Sequence, residues 1–370
     1  MLITENNFNL LYHLVYALSF LLVLLAVVRI DIYRKAFVAN LILKKITITI
    51  VIALIFIIGF REYNVGSDTQ SYYYYNWILD AKSTISSEVL FDIIIQFIKS
   101  QAFSFTVFLL IIAALFYINI IKSFYNIGKL FNVNVFFLFF IFISLFFSKS
   151  LSINVIRQGL SLSFLLLAYS IWLNNKSNFT YIVLLLFAVI THTTSLIPIV
   201  IFIISFIFNK RRININFYLI IYFISIIVSF FNIGILTFAP FLKVWLEGSH
   251  RANYLTDKND LYITGFKPQF VVFNSVFLIF SWYVQNKILN RNSFLYNNYK
   301  VIYLYYILSS IVFFMTFQIP YSDRFGLFSW IVIPILISPF FTFERSVIRY
   351  KTPFVLFFLL IYIFFAAYGN

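Results

Sequence analysis

Long apolar runs, nearly free of charge, recur along this chain and limit its fold more than any other feature. They lie at 10–28, 46–60, 103–121, 133–147, 153–173, 179–190, 196–208, 215–231, 270–284, 301–317, 325–341 and 354–368, twelve in all. About 20 apolar residues of helix cross the hydrocarbon core of a bilayer, and fewer suffice where the bilayer thins. Inside lipid every backbone polar group needs an internal partner, which leaves helices or a closed barrel. A barrel strand alternates polar and apolar positions. These runs are apolar on every face and rich in Phe (51) and Tyr (26), so the walls are helices. Only 11% of residues are charged, against about a quarter in a soluble domain, and 62% are hydrophobic. The reading is an all-α, polytopic integral membrane helix bundle, with 1–370 a single membrane-embedded domain. The first run leads into Arg29, Arg34 and Lys35, not into a small-residue cleavage site, so it is expected to stay as a helix. The absence of cysteine excludes thiol nucleophiles, thiolate metal sites and disulfide staples.

The formal charge of +15 is spread between the apolar runs, as topology signals are, and does not call for nucleic acid. It also arbitrates the ambiguous stretch 179–208. If the polar patch Thr191-His192-Thr193-Thr194-Ser195 turns a hairpin, 17 of the 27 basic residues face the cytoplasm. With a single helix there, only 13 do. The hairpin restores the positive-inside bias and places both termini outside. It leaves Asp31 and Glu344 as the only acidic residues on the inner face. Two larger extracytoplasmic loops follow, at 61–101 and 237–268. The first is expected to hold an amphipathic helix, with Val89, Leu90, Ile93, Ile94 and Phe97 on the membrane side and Glu88, Asp92, Gln96 and Lys99 on the other. No repeat of fixed period is visible.

Charged groups at the outer ends of the segments are the candidates for chemistry, because such placements are costly. In Phe60-Arg61-Glu62-Tyr63-Asn64-Val65-Gly66-Ser67-Asp68-Thr69, Arg61 reads either as an interfacial anchor or as a phosphate fork. Asp68 reads either as a turn residue or as a group that orients or deprotonates a hydroxyl. In Asn154-Val155-Ile156-Arg157-Gln158-Gly159, an arginine stands one turn into an apolar helix beside an amide, with a glycine permitting close approach. This favours a buried anion site over a snorkelling side chain. His192, inside the polar break, is either a cap or a general base. Asp323-Arg324-Phe325 opens a further segment, where Arg324 would join the same outer cavity as Arg61 and Arg157. Arg251, with Trp245, Glu247, His250, Tyr254 and Asp257, suits sugar stacking and equally suits an ordinary interfacial loop. The run Tyr72 to Tyr75 with Trp77 reads as aromatic belt. No phosphate-cradling glycine loop, metalloprotease helix, nucleophile elbow or acidic metal cluster is present, so ATP and metal are not expected.

Phe60-Arg61, Val65-Gly66-Ser67-Asp68-Thr69 with a tyrosine downstream, Asn154 to Gly159, His192-Thr193-Thr194-Ser195-Leu196 and Asp323-Arg324-Phe325 stand in an order that resembles the EpsG-like (Wzy-type) polysaccharide polymerases. The resemblance spans nearly the whole chain in architecture. It implies a glycosyltransferase on the outer face of the cytoplasmic (inner) membrane, joining undecaprenyl-pyrophosphate-linked oligosaccharide repeat units after a flippase delivers them. Product class is left open among O-antigen, capsule and exopolysaccharide. No cofactor is implied, the undecaprenyl pyrophosphate being part of the substrate. Implied partners are the lipid-linked repeat units, membrane lipids, a flippase and a chain-length regulator, with no nucleic acid. On this reading Arg61 and Arg157 hold the donor pyrophosphate, with Arg324, Gln158, Asp323 and Arg251 in support, and His192 or Asp68 removes the acceptor proton. A flippase of the same lipid and an O-antigen ligase are the rival readings. The inner halves of the segments lack the ionisable groups expected along a flippase's pathway.

Overall fold

The computed structural model describes residues 2–28, 36–79, 89–174, 178–211, 214–238, 264–289, 293–342 and 348–368. The described residues are helical except for turns and one isolated β-bridge, and they form a polytopic membrane helix bundle. Among the described residues, seven helices are long and apolar enough to cross a bilayer, or eight if one sharply bent pair counts as a span. Shorter apolar helices at Phe179–Thr191, Ile215–Phe230 and Lys351–Ala367 add to these. The chain divides into two compact units, one of Met1–Leu196 with Ser338–Asn370, the other of Ile197–Ile337.

The first unit contains α1 (Glu5–Val28), α2 (Ala36–Gly59), α3 (Val89–Ser100), α4 (Phe105–Phe131), α5 (Val135–Ser144), α6 (Phe146–Ile153), α7 (Ile156–Leu173) and α8 (Asn178–Thr191). The second contains α9 (Leu196–Lys210), α10 (Ile215–Phe230), α11 (Pro268–Tyr283), α12 (Ser293–Met315), α13 (Asp323–Trp330) and α14 (Ile333–Ile337). The last helix, α15 (Ile348–Tyr368), returns to the first unit.

In the first unit α4 and α7 lie side by side and parallel, because Asn119 donates to Ser163 Oγ (3.1 Å) and, seven residues on in both helices, Asn126 donates to Ser170 Oγ (3.0 Å). Polar rungs of this kind hold apolar helices together where lipid offers no hydrophobic drive between them. Two parallel neighbours require the chain to travel back between them. The apolar run 133–147, expected as one helix, does this as two, α5 and α6, bent by 83°. At the bend Leu145 is extended (φ −91°, ψ 130°), and Ser144 Oγ donates back to the Phe140 carbonyl, a contact that loosens a helix. Helix α4 runs ten residues beyond its expected end, until left-handed Asn132 (φ 53°) lets Val133 N–H close on the Gly128 carbonyl.

Two other expectations are refined. The run 325–341 is not one helix: α13 ends at Trp330 and the chain restarts at Ile333, where Pro334 has no N–H to continue the ladder. Around 191–196 the single overlong helix is excluded, since His192 is extended (φ −156°, ψ 114°) between α8 and a 3-10 turn, Thr193–Ser195.

Helix α3 forms from residue 89 as expected, and it carries a second apolar face besides the one the sequence pointed to. Phe91, Ile95 and Ile98 are buried against Tyr72, Phe105, Phe108 and Leu160, whereas Val89, Ile93 and Phe97 point outward, with Phe97 63% exposed. Three residues on the protein side and three on the outer side leave room for little else, so the helix is apolar on two faces. Glu88 and the loop candidates Arg251, Trp245, Glu247, His250, Tyr254 and Asp257 lie outside the described residues.

Candidate active site

At one end of the first unit, the chain leaving α2 is fixed by three contacts. Ile3 pairs with it as an isolated parallel bridge, its N–H on the Phe60 carbonyl (2.7 Å) and its carbonyl taking the Glu62 N–H (2.9 Å). Arg61, 1% exposed, then turns inward. Its Nε donates to the Val65 carbonyl (3.2 Å), one Nη to the Ile58 carbonyl and the other to Thr69 Oγ1 (2.8 Å). Thr69 in turn donates to the carbonyl of Ile153 at the end of α6 (2.7 Å). Gly66, at φ 98°, lies so close to that carbonyl that a Cβ would come within 2.3 Å of it. Only glycine meets both the positive φ and the contact. Burial pushes the Arg61 pKa down to about 9, with Tyr117 acting the other way, and the guanidinium stays charged at neutral pH.

The Arg61 fork grips the chain's own carbonyls and Thr69, not open space where a phosphate would sit. It organises the turn that carries Asp68, which is half-buried in the short helix Ser67–Ser71.

The second motif meets the first directly. Asn154 and Val155 link α6 to α7, and the half-buried Arg157 places its guanidinium 4.9 Å from the ring centre of Tyr72 and 6.0 Å from that of Phe91. Such cation–π contacts hold the side chain in direction without neutralising its charge. Gln158 beside it is buried. Gly159 permits close approach, as expected, and what approaches is α6: a Cβ there would fall 2.1 Å from the Leu151 carbonyl.

The third motif is pinned one helical turn farther along α7. Ser161, four residues after Arg157 and so on the same face, donates to the Ala188 carbonyl (2.7 Å) and shares a short hydrogen bond with Ser195. His192 is half-buried, and its carbonyl accepts the Ser195 N–H (3.0 Å). Thr194 Oγ1 is buried with no hydrogen-bond partner among the described residues.

The fourth motif belongs to the second unit. Tyr321 is left-handed (φ 59°), its carbonyl accepts the Arg324 N–H (3.0 Å), and the Arg324 guanidinium lies 5.1 Å from its ring centre. Asp323 stands in the first turn of α13, where a carboxylate complements the helix dipole. Lys267 Nζ donates to Ser322 Oγ (2.9 Å); burial lowers the Lys267 pKa, and Asp323 partly opposes this.

The EpsG family model matches residues 44–370. The chain belongs to the EpsG family. This is a membrane-protein family tied to exopolysaccharide biosynthesis. No curated protein and no solved structure matches the chain.

The roles of four residues in this EpsG-family protein, three in the first unit and one in the second, escaped the sequence reading. Thr69 joins the two motifs through a single hydroxyl, and threonine in a polar turn gives no signal of that. Ser161 and Ser195 are ordinary small residues until the fold places them together. Lys267 counted only as a topology charge, although its position just before Pro268, which occupies the first turn of α11, marks it as a helix-entry residue.

Proposed function

We propose that this EpsG-family protein is a polysaccharide polymerase that joins undecaprenyl-pyrophosphate-linked repeat units on the outer face of the cytoplasmic membrane. The observation that carries the proposal is the meeting of three separated motifs in one unit. The Gly66–Thr69 turn sits on Ile153, Arg157 faces Tyr72, and the His192 break is fastened to Ser161.

In the reaction, an acceptor sugar hydroxyl attacks the anomeric carbon of the donor glycan. The new glycosidic C–O bond forms as the bond to the lipid pyrophosphate breaks, and the pyrophosphate leaves with the electron pair. Negative charge grows on the leaving group, and a preorganised cation lowers that barrier. Arg157 takes this role, with Gln158 beside it. Arg61 positions the turn on which Asp68 stands. His192 or Asp68 accepts the hydroxyl proton. On the topology that the basic residues favour, with both termini outside, these groups face the extracytoplasmic side, where a flippase would deliver repeat units and a chain-length regulator would act.

The test is complementation of a deletion strain. Arg157→Ala and His192→Ala, at normal abundance in the membrane, are expected to leave single repeat units at the cell surface in place of long chains. Long chains from both variants would reject the site. Repeat units trapped inside the deletion strain would instead indicate a flippase, and full-length polymer left on its lipid carrier a ligase.

A further inference from the structure

The opposite end of the same unit holds a second site, of different character. Lys44 lies one turn into the spanning part of α2, Leu41–Gly59, and about 22 Å from Gly59 at 1.5 Å per residue. There a cavity of about 780 Å³ opens between α2, α4, α7 and α8. Lys44, Lys122, Tyr125 and Thr180 line its polar end, while Ile48 and Leu184, one turn farther along their helices, line its apolar end. A smaller cavity of about 380 Å³ adjoins it, sharing Lys44 and Tyr125 and adding Lys129. Lys44 and Lys129 both lie over the Tyr125 ring, at 4.9 and 4.5 Å from its centre. No carboxylate lines either cavity. Two ammonium groups thus share the Tyr125 ring, a third lines the larger cavity, and none of the described lining residues carries a compensating negative charge.

Topology explains why lysines occur at this end of the helices, but not why they gather on one cavity with an apolar continuation. We propose that this cavity binds the phosphate headgroup of an anionic membrane phospholipid, its acyl chain lying along Ile48 and Leu184. Lysine and hydroxyl donors answer the phosphate oxygens, and the apolar wall answers the chain. Basic clefts between helices at this membrane face are suited to such headgroups. The site is independent of the polymerase reading and stands even if that reading fails.

The experiment uses the purified full-length protein in neutral detergent, exposed separately to phosphatidylglycerol, to phosphatidylcholine of the same chains, and to inorganic phosphate. Retained lipid is read by native mass spectrometry and stabilisation by Tm. Phosphatidylglycerol is expected to be retained preferentially, weakening about fivefold for each lysine replaced in Lys44→Gln and Lys122→Gln, with Lys122→Arg retaining binding. Equal retention of the two lipids, or unchanged binding in every single lysine variant, overturns the proposal. Stabilisation by inorganic phosphate equal to that by the lipid overturns the lipid assignment and leaves a soluble anion site. The single variants are read separately, so the test does not depend on a folded double variant.

Discussion

The two arginines that stood out in the sequence have different structural situations. Arg61 is enclosed and holds three acceptors of its own chain, so its fork shape matters more than its charge. Lysine cannot reproduce a fork, and Arg61→Lys is expected to lower Tm almost as far as Arg61→Ala. At Arg157, which faces aromatic rings, lysine keeps the charge, and Arg157→Lys is expected to retain measurable polymer where Arg157→Ala has none. Thr69→Val leaves both Arg61 and the Ile153 carbonyl short of a partner, at a cost of about 1–3 kcal/mol, read as a fall in Tm that Thr69→Ser largely avoids. Lys267 adds a pH effect. Its folded pKa is lowered, so between that value and the ordinary 10.5 the unfolded chain binds more protons and stability rises with pH. In Lys267→Met this part of the pH slope of Tm is expected to vanish. Much of this residue detail was hidden in the sequence because its partners are main-chain carbonyls, which every residue carries.

Helices were legible where an apolar run was long and unbroken, and less so where a side chain redirected the backbone. The bend at Leu145 has no proline or glycine to announce it, whereas Pro334 could have flagged the interruption in 325–341. Amphipathic reasoning placed α3 and its outward face but missed the face packed on the protein, because a helix between protein and lipid is apolar on both. The outward face gives a direct check: Phe97→Trp fluorescence is expected to be quenched by brominated acyl chains, and Phe91→Trp fluorescence to be insensitive to them. The rungs between α4 and α7 make a second prediction. A double-mutant cycle on Asn119→Ala and Ser163→Ala is expected to give a coupling of about 0.6 kcal/mol, the usual value for an interhelical hydrogen bond in lipid. A coupling of zero would remove the rungs as the reason for the parallel pairing.

For the molecule as a whole, hydropathy carried the membrane class and four short motifs in order carried the family resemblance, and the apolar helices and the family match agree with them. What they could not convey is that motifs almost 90 residues apart share one hydroxyl. Sidedness is open to test because the chain has no cysteine of its own. Single cysteines at Asn64 and at Lys45, both exposed near opposite ends of α2, are expected to react with impermeant maleimide from opposite sides of the membrane. Labelling from the same side would remove the outward-facing topology.

The Gly66–Thr69 turn is fastened from below by Thr69 and Arg61, and its neighbours Asn64, Ser67 and Gln70 are exposed. Foundation and façade are thus separate. A laboratory seeking altered glycan preference can randomise positions 64, 67 and 70 and still recover folded protein, whereas a library at 66 or 69 should yield mostly degraded chains; equal recovery from the two libraries would show that the façade and its footing are not separable after all.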